Sequence, residues 1–116
     1  MKLWHIITAI VLVIVIGGFA LSSSSGSQVP YFDASSPVKY YYSDSCSHCI
    51  AMKPILTKLA GEGYRVNPQN VDKNQRLWND ISGTPTWIAT NGEKLSGQQN
   101  EQVLKAWFDA HGAKIK

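Results

Sequence analysis

The tetrapeptide Cys46-Ser47-His48-Cys49 constrains what this chain can fold into more than any other stretch. It follows the aromatic run Val38-Lys39-Tyr40-Tyr41-Tyr42 and opens a segment in which Cys49, Met52, Ile55, Leu56, Leu59 and Ala60 recur at spacings of three and four. The first profile is that of a strand, and the second that of a helix with one apolar face. Cysteines three apart at a helix start share a face and can close a disulfide with little strain. The first sulfur should occupy the exposed first turn, where backbone N–H groups and the positive end of the helix dipole favour the thiolate, the form that attacks disulfides. The second lies about one turn further in, shielded on the apolar face, and should act as the resolving thiol. Ser47 and His48, between the cysteines, set the trend of the redox potential. A positive charge on His48 would stabilise a Cys46 thiolate and shift the pair toward the oxidising side.

Other uses of the motif are open to physical objection. A bridge closing so short a loop constrains the unfolded chain little and is a poor structural staple. Haem attachment needs a His directly after the second Cys, and Ile50 stands there. A zinc site needs four ligands, and beyond Cys46, Cys49 and His48 the chain offers only His5 and His111. Copper(I) can be held by two thiolates, so a copper-handling or assembly module remains the alternative to an enzyme. Neither a bound metal nor any other cofactor is expected for the enzyme reading.

A chain of 116 residues allows one domain. Eleven Lys and Arg against eight Asp and Glu, with no basic block or stripe, speak against nucleic acid as a partner. Residues 3–21 carry no Asp, Glu, Lys or Arg, and Lys2 is the only charged side chain ahead of them. Residues 6–16 followed by Gly17-Gly18-Phe19-Ala20-Leu21-Ser22 suit a signal peptide cleaved near residue 22. The full apolar stretch nearly reaches the roughly 20 residues needed for an uncleaved membrane anchor. Either way the basic end stays inside and the remainder is exported, periplasmic in a bacterium with two membranes. Residues 1–21 are thus read as signal peptide or anchor, preceding the fold as an apolar helix. Residues 22–37, with Ser22-Ser23-Ser24-Ser25-Gly26-Ser27 and two prolines, are read as a flexible linker. The folded domain is expected over 38–113.

Within that domain, residues 64–71 form a weaker strand candidate, interrupted by Pro68 and therefore short or at an edge. Leu77, Trp78 and Ile81 suggest a short second helix. Thr86-Trp87-Ile88-Ala89-Thr90, the turn Asn91-Gly92 and residues 93–96 predict a β-hairpin. Asn100 can cap a last helix with Val103, Leu104, Trp107 and Phe108 inward and Gly112 just past its end. The order is β-α-β-α-β-β-α, an α/β architecture in which a mixed sheet is covered by helices.

These residues resemble the thioredoxin fold, a mixed four-stranded sheet flanked by three helices. Residues 42–49 look like its strand-loop-helix active site, and Pro54 falls where that family kinks its active-site helix. Gly83-Thr84-Pro85 is similar to the loop whose proline is cis and packs against the CxxC. Asn91-Gly92 and Gly97 match the final hairpin. Within the fold, residues 83–97 resemble the catalytic domain of bacterial periplasmic disulfide isomerases of the Dsb type. The likeness covers about residues 38–111.

The resemblance implies a redox pair, Cys46 and Cys49, acting on disulfides or thiols of protein substrates. It implies that Thr84 contacts Cys46 and influences its pKa, and that backbone beside Pro85 pairs with the substrate like an added strand. A membrane or periplasmic redox partner would exchange electrons with the pair, and an uncleaved N-terminal segment would tether the domain to the membrane. Three departures stand out. Ser45 replaces the Trp that precedes CxxC in ordinary thioredoxins. The first strand has no carboxylate matching their buried proton acceptor, and Asp44 reads as a capping residue. The isomerases' separate dimerisation domain has no counterpart in residues 22–37, which favours a reductase or oxidase over an isomerase.

Overall fold

The computed structural model describes residues 29–116. The proposed signal or anchor, and the Ser-rich start of the linker, lie outside that range. Strand β1, Lys39–Tyr42, leads into helix α1, Ser47–Gly61, then strand β2, Asn67–Asn70, and a 3-10 helix, Gln75–Asp80. Strands β3, Thr86–Ile88, and β4, Lys94–Ser96, precede helix α2, Glu101–His111. The sheet order is β2-β1-β3-β4, with β1 and β2 parallel and the other two pairings antiparallel. This is a thioredoxin-like fold with a mixed four-stranded sheet and three helices. Among the described residues, no helix is long and apolar enough to cross a membrane.

Tyr40 and Tyr41 of β1 are both buried, and the Tyr40 ring stacks on that of Trp87 from β3 with centroids 5.1 Å apart. Met52, Leu56 and Leu59 of α1 and Leu104 and Phe108 of α2 complete the core. Each such side chain contributes about 1.5–3 kcal/mol on leaving water. Pro68 is accommodated because β2 is an edge strand paired only with β1. Helix α1 ends where Gly63 takes φ +101 and the Tyr64 N–H reaches back to the Leu59 carbonyl at 3.1 Å. Asn100 caps α2 by accepting from the Val103 N–H at 2.9 Å, and Gly112 closes it in the left-handed region.

Three details differ from the sequence reading. The second helix is a six-residue 3-10 turn that buries none of its residues, and Trp78 is 40% exposed. Its three residues per turn, and the extended backbone of Ile81 just past its end, take Leu77, Trp78 and Ile81 off the single face that α-helical spacing would give them. Val103, expected on the inner face of α2, is 44% exposed, because the buried stripe is as narrow as Leu104 and Phe108. Residues 29–37, assigned to a linker, belong to the packed unit. Tyr31 is 6% exposed and lies in the core, the Val66 N–H donates to the Tyr31 carbonyl, and Phe32 bridges to Val66.

Candidate active site

Beyond Tyr42 the chain turns through Ser43, Asp44 and Ser45 before α1 begins. Asp72, just after β2, shapes that turn. Its carboxylate accepts from the Ser43 hydroxyl at 2.9 Å and 3.0 Å and from the Asp44 N–H at 2.9 Å. Asp44 is not the helix cap. Its own carboxylate is exposed and accepts from the Asn70 side chain.

The cap is Cys46. Its backbone is extended, and its sulfur accepts from the Cys49 N–H at 3.2 Å, the bond that a Ser or Asp oxygen makes at an ordinary helix start. The sulfur also lies 3.5 Å from the Thr84 carbonyl oxygen, to which the thiol donates. Both cysteines are free thiols, Cys46 partly exposed and Cys49 buried. Burial opposes a charge on Cys46, but hydrogen bonds from Cys49, the Thr84 side chain and the backbone N–H groups of Cys49 and His48 outweigh it. The net effect holds the Cys46 thiol below its ordinary pKa of 9.0. Cys49 moves the other way: burial first, then its position beside Cys46, pushes it up to about 11. The motif therefore holds one thiol that ionises more readily than an ordinary cysteine and one that ionises less readily.

The Thr84–Pro85 peptide is cis, and Pro85 is fully buried. The Pro85 carbonyl accepts from the Gly97 N–H at 2.7 Å, joining this loop to the end of β4. Ser47 and His48 are both exposed on the first turn of α1. The His48 ring is bonded through Nδ1 to the Gln98 side chain at 2.9 Å, so it bridges α1 to the loop after Gly97. Cys46, Cys49, Thr84, Pro85 and His48 thus converge on one end of the sheet.

Two residues of this site escape a linear reading. Asp72 and Gln98 lie 29 and 50 residues from their partners Ser43 and His48. The one cue was for Gln98, which follows the Gly97 that ends the resemblance to the hairpin.

Comparison with known proteins bears on the fold. No protein-family model matches the chain, and no curated protein matches it. Solved structures do. A mutant thioredoxin from Halobacterium salinarum is similar at 26% identity and TM-score 0.57, over 72% of this chain and 80% of that one. The Malassezia sympodialis thioredoxin is similar at 19% identity and TM-score 0.55, also over 72% and 80%. A thioredoxin-like protein from Clostridium perfringens aligns at 18% identity and TM-score 0.57, over 70% of this chain and 76% of that one.

Proposed function

We propose that this chain is an exported thiol-disulfide oxidoreductase that exchanges disulfides with protein substrates through Cys46 and Cys49. The observation that carries the reading is the split between the two thiols, one held low at the helix cap and one held high behind it. The Cys46 thiolate attacks a substrate disulfide, one substrate sulfur leaves, and a mixed disulfide forms. Cys49 then attacks Cys46, the substrate leaves with two electrons, and the pair remains as a disulfide. In the oxidase direction the same steps run in reverse. The Thr84 carbonyl lies 3.5 Å from the attacking sulfur, and an extended substrate segment would pair with the backbone beside Pro85.

The exported setting rests on the uncharged run 3–21 behind Lys2, which serves either as a cleaved signal or as an inner-membrane tether. A tether of serines then keeps the domain near a membrane redox partner. The likeness to the catalytic domain of Dsb-type isomerases supports protein substrates over small ones. For the copper(I) alternative, no group of three or more His, Cys, Asp or Glu is gathered among the described residues, so it would rest on two sulfurs alone.

The test is a Cys49→Ala chain expressed in a bacterial host. It should accumulate mixed disulfides through Cys46 that reductant releases, and a Cys46→Ala chain should accumulate none. Equal capture by both variants, or by neither, would overturn the enzyme reading.

A further inference from the structure

In either direction of exchange Cys49 must change its protonation state. A thiol 3% exposed has no direct access to bulk water, so its proton needs a path. A cavity of about 110 Å³ lies beside it, with Cys49 in the wall together with Tyr31, Tyr40, Tyr42, Ser43 and Lys53. That volume is several times the roughly 10–15 Å³ that one water requires, and the wall carries hydroxyl groups to hold water. Exposed Asp44 and Lys53 also line it, so the cavity runs from the buried thiol to charged groups in contact with solvent.

Tyr40 is the most deeply placed of the hydroxyl-bearing groups in this wall. Its residue is 2% exposed and shares the cavity wall with Cys49.

We infer that the cavity is a water-filled proton path for Cys49 and that the Tyr40 hydroxyl donates a hydrogen bond to the Cys49 thiolate as it forms. The inference rests on the exchange function proposed above. In the resolving step the Cys49 proton passes to cavity water and out past Asp44 and Lys53. The Cys49 sulfur bonds to Cys46, and the Cys46–substrate bond breaks. The substrate sulfur leaves with the electron pair and takes a proton from solvent. In reverse, Cys49 departs as thiolate and regains its proton along the same path. Tyr40 remains a donor throughout, because burial and then the nearby Cys49 hold its phenol far above its ordinary value. The other ionisable groups lining the cavity are Tyr31, Tyr42, Asp44 and Lys53; the Cys46 thiol bonds the Cys49 N–H, and Asp72 backs Ser43.

The two sulfur steps separate when the reduced full chain is mixed in stopped flow with a chromogenic aromatic disulfide. The first release of coloured thiolate reports attack by Cys46, and the second reports attack by Cys49. Tyr40→Phe keeps the ring stacked on Trp87 and removes the oxygen. It should leave the first phase within about twofold and slow the second by about tenfold near neutral pH. The slowing should shrink as pH rises toward the Cys49 pKa. In heavy water the unmodified chain should slow in the second phase only, which tests the path even if Tyr40→Phe folds poorly. A second phase unchanged both by Tyr40→Phe and by heavy water overturns the proton path and leaves the exchange function standing. Loss of both phases in the unmodified chain overturns both.

Discussion

The Cys46 sulfur accepts a hydrogen bond from the Cys49 backbone nitrogen at 3.2 Å, so the proposed nucleophile is also the N-cap of the helix that carries its partner. Reactivity and helix stability share one atom. Ionising that atom strengthens the cap, since a charged acceptor bonds a backbone N–H more tightly than a neutral one.

Separating the two roles is the first prediction. Cys46→Ser keeps an oxygen able to cap, whereas Cys46→Ala removes the acceptor. Both should abolish disulfide exchange, but the alanine variant should be less stable than the serine variant by about 1 kcal/mol in urea denaturation. Equal stability would show that the sulfur does not cap.

A second prediction concerns what holds Cys46 low. The contributions come from Cys49, the Thr84 side chain and backbone N–H groups, while the His48 ring is engaged with Gln98. Thr84→Val should therefore raise the Cys46 pKa, read from thiolate ultraviolet absorbance, more than His48→Ala does. The reverse ranking would restore the role that the sequence motif assigns to His48.

The third concerns His111, whose ring lies tilted against that of Trp107 with centroids 4.1 Å apart and which bonds the Trp107 carbonyl and the Glu93 carboxylate, each at 2.7 Å. The Trp107 carbonyl first, and then Glu93 against the opposing effect of burial, raise its pKa above the ordinary 6.5. A raised His pKa means the charged form binds better in the folded state. Its stabilisation is complete below 6.5 and is lost as pH rises through the folded value. The thermal midpoint should fall between about pH 6 and about pH 8, and His111→Gln should flatten that fall. An unaltered slope in the variant would remove His111 as its source.

The fourth tests the edge of the folded unit. Tyr31→Ala empties a buried aromatic site and should cost about 3 kcal/mol, against about 0.5 kcal/mol or less for Val103→Ala on the exposed side of α2. Equilibrium unfolding of both variants decides it. A neutral Tyr31→Ala would return residues 29–37 to the linker.

What the amino-acid order determined by itself is local. Aromatic and β-branched runs, spacings of three and four, the Asn100 cap, the Asn91-Gly92 turn and the CxxC at a strand-helix junction all express backbone preferences acting over a few residues. Those preferences are enough for the element order and for the two reactive positions. Tertiary structure decided everything that crosses the sheet. Placing β3 beside β1 brings the Thr84 carbonyl within 3.5 Å of a sulfur 38 residues away, and the parallel pairing of β2 with β1 brings Asp72 beneath Ser43. Exposure of Trp78 and Val103, and burial of Tyr31, were settled by which surfaces the neighbouring elements left open. Periodicity marks a face as apolar, but whether that face is covered depends on partners far along the chain, and no short window of residues contains them.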